Sequence, residues 1–111
     1  MSQGPLSGIK VIEFGQNLAG PYCGQILTFL GAEVLKVERP EGDDARRWGP
    51  PFIDEGDSPA VAFVALNRGK KSTVIDLNEK ADCEILIKTS EPVGFGMGTS
   101  SSSRGCPQLV I

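Results

Sequence analysis

Apolar and polar residues alternate from Gly8 to Phe14 (Gly-Ile-Lys-Val-Ile-Glu-Phe), and the β-branched content makes this run a strand. Gly15 to Pro21 reads as a turn, with Pro21 at the first helical position, where its missing N–H is not needed. Tyr22, Ile26, Leu27, Phe29 and Leu30 then recur at helical spacing, and Gly31 supplies the stop. Glu33 to Glu38 alternates again as a second strand. Strand, helix and strand in this order make a βαβ unit, whose crossover is expected to be right-handed.

Beyond it the pattern loosens. Arg39 to Pro59 is rich in Pro, Gly and Asp, and connections this long without regular structure are uncommon and often functional. Ala60 to Leu66 is apolar enough for a short buried helix, Asn67 to Lys71 is a basic turn, and Ser72 to Leu77 reads as a third strand. Glu84 to Lys88 reads as a short fourth strand. From Gly94 the chain turns Gly- and Ser-rich, then closes on the apolar run Cys106-Pro-Gln-Leu-Val-Ile111, which has no evident strand partner. The expected fold class is α/β, a partial Rossmann-like three-layer fold with a mainly parallel sheet, truncated. The expected division is residues 1–93 as one domain part and residues 94–111 as a divergent tail ending in an apolar segment.

Composition narrows the chemistry. Of 111 residues, 40% are hydrophobic and 23% charged, ordinary values for one globular domain. The net charge of −3 argues against a nucleic-acid partner, which needs a basic surplus. The local basic clusters Arg46-Arg47 and Arg68-Gly-Lys-Lys71 suit a small phosphorylated ligand, or are solvated surface runs. No stretch has the length of a membrane span, and Met1 to Pro5 has no signal-peptide character, so a cytoplasmic location and no membrane partner are expected. The three cysteines, Cys23, Cys83 and Cys106, form no CxxC pair and read as small buried or half-buried thiols, with no metal site. The absence of His argues against Ser-His and Cys-His catalysis within this chain.

The first βα turn is where doubly wound folds bind nucleotides. Gly15, Gly20 and Gly24 lie around it, but their spacing is not the dinucleotide fingerprint Gly-x-Gly-x-x-Gly. They read either as phosphate-cradling residues or as tight-turn and packing glycines. Glu38 stands where such folds place a ribose-binding acid, which leaves an NAD-type dinucleotide-binding domain as the alternative. Arg39, one residue on, favours a phosphate instead.

Several motifs then recur together. Leu6-Ser-Gly-Ile-Lys-Val-Ile-Glu-Phe, Leu18-Ala-Gly-Pro-Tyr-Cys and Leu30-Gly-Ala-Glu-Val-Leu-Lys-Val-Glu-Arg-Pro are followed by Gly42-Asp-Asp-Ala-Arg-Arg-Trp-Gly-Pro-Pro-Phe52 and Leu66-Asn-Arg-Gly-Lys-Lys-Ser72. In order and spacing this series resembles the N-terminal part of the class III coenzyme A transferases, the CaiB/BaiF type, densely over residues 6 to 78. The resemblance makes residues 1–93 the N-terminal part of a CoA-transferase large domain.

It implies transfer of coenzyme A between carboxylic acids, with coenzyme A or acyl-CoA as substrate and no permanently bound cofactor. By the same resemblance CoA is held by Leu18 and Ala19 in the turn, Arg39 after the second strand, and Ile75 and Asn78 around the third, with Lys70 and Lys71 as helpers. Family members form interlocked homodimers, and a fragment is expected to self-associate. After Asn78 the chain departs from the family pattern: the long helix the family has there is expected to be almost entirely missing, Pro92 matches, Lys88-Thr89-Ser90 replaces the expected acid, Asn and aromatic, and Phe95-Gly96 and Pro107-Gln-Leu-Val-Ile111 only echo later segments. The family's nucleophile is an Asp further downstream. No catalytic residue is therefore assigned here, and the chain alone is expected to be inactive, a non-enzymatic CoA- or nucleotide-binding remnant being the other reading.

Overall fold

In the computed structural model the structure describes residues 3–90 and 108–111. Strand β1 (Lys10–Glu13) is followed by helix α1 (Ala19–Phe29) and strand β2 (Glu33–Glu38). A 3-10 turn (Asp44–Arg47) and helix α2 (Val61–Leu66) lead to strand β3 (Lys71–Val74), helix α3 (Lys80–Ser90) and strand β4 (Gln108–Val110). The sheet order is β3-β2-β1-β4 and all three pairings are parallel. The expected Gly94 to Ser103 segment, Phe95-Gly96, Pro92 and Cys106 lie outside the described residues.

Several expectations are corrected. Glu84 to Lys88 is not a strand but the middle of α3. Ile85 and Ile87 favour a strand locally, yet Asp82, Cys83 and Leu86, the half-buried positions, recur at helical spacing. The helix after Asn78 is therefore present, and Leu86 carries it onto the sheet. The terminal apolar run is not unpaired either: Leu109 stands beside Val11 and Val110 beside Ile12, with Phe14 N–H donating to the Ile111 carbonyl at 2.8 Å. The helix α1 also begins earlier than expected, which puts Pro21 third rather than first. An N–H there would still have no helical partner, because the first intrahelical donor is Tyr22, to the Leu18 carbonyl at 2.8 Å. Cys23 is exposed rather than buried.

Because side chains alternate across a strand, the sheet has two different faces. Val11, Val34 and Ala32 form a cluster with Leu27 of α1 on one face. Ile12, Val37 and Ile75 form another with Leu86 of α3 on the opposite face. Helices thus cover both faces of a parallel sheet. Outside these contacts α1 leaves Tyr22, Ile26 and Phe29 exposed along one stripe.

On the α1 face the apolar cluster gives way to charge towards the carboxyl ends of the strands. Val11 is followed two residues on by Glu13, and Val34 by Lys36 and Glu38, all buried. Glu13 and Lys36 are register partners across β1 and β2. The Lys36 ammonium donates to Glu13 Oε2 at 3.1 Å and to the Gly15 carbonyl at 3.0 Å, and pairs with Asp43 Oδ2 at 2.9 Å. Lys70 donates to the other Glu13 oxygen at 2.7 Å, to the Pro21 carbonyl at 2.7 Å and to Asn67 Oδ1 at 2.9 Å. Asp43 Oδ1 accepts from Asn17 N–H at 3.0 Å and Ala45 N–H at 2.9 Å. Burial opposes the Asp43 charge, but these N–H donors and Lys36 together hold its carboxyl below the usual range.

Glu38 ends the row. Arg46 grips it in a fork, Nε to Oε1 at 2.7 Å and Nη2 to Oε2 at 2.8 Å, while Ser72 and the Asp43 N–H add further donors. The Arg46 guanidinium, against the cost of burial, holds Glu38 down to about 2 from an ordinary 4.5.

Replacing Lys36 by Met should strand the Glu13 and Asp43 carboxylates in the interior. A loss of about 3–5 kcal/mol in urea unfolding is expected, and an unchanged midpoint would show that these charges are hydrated. Glu38, lower in the folded chain than its ordinary 4.5, contributes stability that is complete above that value and drains away as the pH falls towards about 2. A Glu38→Gln chain should start less stable and lose less over that window; parallel acid-unfolding curves for the two chains would contradict this.

Candidate functional site

The carboxyl ends of β1, β2 and β3 converge on a cavity of about 350 Å³, within the range of small-molecule pockets. Phe14, Val37 and Ile75 give it an apolar floor, continuous with the α3-face cluster. Gln16 enters from the first βα turn, Arg39, Pro40 and Glu41 from the turn after β2, and Asp76, Leu77 and Asn78 from the turn after β3. A larger depression of about 520 Å³ lies at the amino ends of the strands, walled by Lys10, Glu33, Thr28 and Arg68 among others. The carboxyl-end cavity is the better candidate, because open parallel sheets present their loops, and hence their ligands, at that end.

Each turn has an identifiable cause. Asn17 adopts a left-handed conformation with φ 67°, which Asn tolerates, and its N–H is tied to Asp43, so the first βα turn is fixed to the loop after β2. Gly42, at φ 78°, closes the tight turn after β2, donating to the Arg39 carbonyl at 2.8 Å. In the turn after β3, Asp76 Oδ1 accepts from the Asn78 N–H at 2.9 Å, and the Asp76 N–H donates to Asp82 Oδ2 of α3 at 2.9 Å.

Three of the five residues expected around the ligand, Arg39, Ile75 and Asn78, meet at this cavity. Leu18 and Ala19 stand on the same turn as Gln16, exposed at the start of α1, but do not line it. Ile75 is buried and supplies floor; Asn78 is exposed, its amide donating to Asp76 at 3.1 Å. Arg39 is exposed, its Nε donating to the Gly42 carbonyl at 3.2 Å and its Nη2 to Asp44.

Lys70 and Lys71 part company here. Lys70 spends its three N–H donors on Glu13, Pro21 and Asn67, and burial lowers its pKa against the pull of Glu13. Lys71 pairs with Glu33 at 2.9 Å, at the amino end of the sheet. Glu38 is equally spent, with both oxygens already accepting, so it offers nothing to a ribose. The glycines of the first turn are packing residues: a Cβ on Gly15 would lie 2.6 Å from the Gly20 Cα, and one on Gly24 would lie 1.9 Å from Glu13 Oε1. Gln16 and Phe14 escape sequence reasoning because neither residue type marks a ligand; the strand-end rule is the signal that points to them.

Comparison with known proteins identifies the family. The family model described as CoA-transferase family III matches residues 6–89. A succinate–glutarate CoA-transferase of Agrobacterium fabrum is 49% identical over 96 residues, covering 80% of this chain and 24% of that protein. The human succinyl-CoA:glutarate CoA-transferase is 41% identical over 120 residues, covering 96% of this chain and 27% of that protein. The crystal structure of a CAIB/BAIF family protein from Brucella suis superposes with a TM-score of 0.71 at 54% identity, over 75% of this chain and 22% of that one. The chain thus spans about a quarter of the length of the curated relatives it matches. With matching motifs, a parallel sheet of the same fold and a family match over most of its length, this chain belongs to CoA-transferase family III.

Proposed function

We propose that this chain is the coenzyme A-binding part of an enzyme that moves CoA between carboxylic acids. The observation that carries the reading is Arg39, held at the edge of an apolar-floored cavity at the strand ends. A nucleotide has a flat, weakly polar ring and charged phosphates, and the cavity offers one surface for each. Phe14, Val37 and Ile75 suit the ring, Gln16 and Asn78 supply edge hydrogen bonds, and the Arg39 guanidinium suits phosphate oxygens.

The relatives named for succinate and glutarate point to short dicarboxylic acids as the acyl partners. Acyl transfer of this kind uses a carboxylate nucleophile, which splits one hard step into two easier ones. None of Asp43, Asp44, Asp54 and Asp57 lines the cavity, so none of these four carboxylates is assigned this role. The nucleophile is expected from family sequence beyond the part matched here, and the chain by itself should bind CoA without turning it over. Among the described residues no helix is long and apolar enough to cross a membrane. A cytoplasmic location accords with a substrate as polar as CoA.

The exposed stripe Tyr22, Ile26 and Phe29 supports self-association of the chain. Size-exclusion chromatography should show a species larger than a monomer, and a sharp monomeric peak would remove this part of the reading.

Calorimetric titration of the chain with CoA should give saturable binding, weakened roughly ten-fold by Arg39→Ala, as expected for loss of a charge-assisted hydrogen bond. Absence of heat from a sample that melts cooperatively would overturn the assignment.

A further inference from the structure

Three arginines follow β2, and their surroundings separate them. Arg46 is committed to the buried Glu38 and stacks over the Phe63 ring, 4.1 Å from its centroid. Arg39 and Arg47 are not committed in this way. Both are exposed, at 42% and 60%, and both send Nη2 to the same atom, Asp44 Oδ1, from Arg47 at 2.8 Å.

Their remaining hydrogen bonds go to the backbone. Arg39 Nε donates to the Gly42 carbonyl and Arg47 Nη1 to the Glu41 carbonyl, each at 3.2 Å. Two successive carbonyls of one tight turn therefore hold the two guanidinium groups, while a side-chain carboxylate supplies the point on which they converge. That turn forms one wall of the strand-end cavity, through Arg39, Pro40 and Glu41.

We propose that Arg39 and Arg47 form a two-guanidinium fork for a phosphate monoester dianion of the nucleotide ligand, and that the Asp44 carboxylate occupies the fork in the absence of that ligand. This rests on the reading of the cavity as a CoA site. A phosphate monoester carries nearly twice the charge of a carboxylate and three acceptor oxygens, so it is the better partner for two guanidinium groups. Asp44, itself 48% exposed, returns to water at little cost when displaced, because exposed ion pairs contribute little net stability. The Glu38–Arg46 pair does not exchange in this way, since Glu38 is only 3% exposed and its release would leave a buried charge unpaired. Glu41, whose carboxylate stands 3.9 Å from Arg39 Nε, is a second acid at the fork but a looser one. In coenzyme A the only phosphate monoester is that on the ribose 3′ oxygen, so dephospho-CoA, which lacks it, is the matched control.

The experiment is calorimetric titration of the full chain, wild type and the variants Arg47→Ala, Asp44→Asn and Arg39→Ala, with CoA and with dephospho-CoA. Asp43 rather than Asp44 caps the 3-10 turn, so Asp44→Asn leaves that cap in place. Arg47→Ala should weaken CoA roughly ten-fold, and Asp44→Asn should tighten it by about two- to five-fold as the competing anion is removed. Both should leave dephospho-CoA unchanged. If Arg39→Ala weakens CoA while the Arg47 and Asp44 variants bind it as wild type does, the fork is wrong and the cavity stands. Weaker CoA binding by Asp44→Asn would make Asp44 a positioning residue and overturn its role as occupant. Equal shifts with CoA and dephospho-CoA would exclude the monoester as the group recognised. No binding of CoA by either wild type or Asp44→Asn would remove the cavity reading and the fork together.

Discussion

Lys36 brings a full positive charge into the sheet at 1% exposure, with the Glu13 and Asp43 carboxylates at 0% beside it. Taking such ions out of water costs several kcal/mol each, so the arrangement holds only while every partner stays in place. That requirement propagates. Glu13 must also meet Lys70, which draws the turn after α2 against the start of α1 through the Pro21 carbonyl. Asp43 must meet the Asn17 N–H, which sets the first βα turn against the loop after β2. Gly24 must lack a side chain, because the Glu13 carboxylate occupies the space a Cβ would need. One buried cluster thus positions the turns that wall the carboxyl end of the sheet.

The same cluster explains why charge near the candidate site is not equivalent to charge available for a ligand. Lys36, Lys70 and Arg46 are near the strand ends and are all consumed by internal acids. Arg39 and Arg47 lie one layer further out, paired with an acid that is itself in water. Desolvation separates the two groups: a buried pair cannot exchange partners without leaving an uncompensated ion, whereas an exposed pair can. The apolar floor beneath Arg39 comes from the opposite face of the same strands, so a single sheet supplies both an ionic frame and a hydrophobic surface.

Much of this was legible in the residue pattern because it is local. Alternation in Val11-Ile12-Glu13 and across Glu33 to Glu38 marks β1 and β2, and their parallel pairing follows from the helix between them. The linked motifs from Leu6 to Ser72 carry the family, and Arg39 follows from its place after β2. The segment Glu84 to Lys88 misleads because Ile-Leu-Ile is a strong strand signal over a short window, whereas the helix depends on Leu86 finding the sheet. The terminal run looks unpaired for a related reason, as its partner, β1, lies at the far end of the sequence.

The sequence by itself determined the βαβ order, the family and the residue types gathered at the strand ends, since each depends on periodicity, turn chemistry and spacing between near neighbours. Only the tertiary structure decided what those residues do. Lys70 and Arg39 both read as basic positions beside a nucleotide-binding turn, and Glu38 as an acid awaiting a ribose. Burial and the positions of Glu13, Asp43 and Arg46 make Lys70 and Glu38 internal supports and leave Arg39 facing outward. Solvation sets that difference, and solvation depends on contacts between residues far apart in the chain.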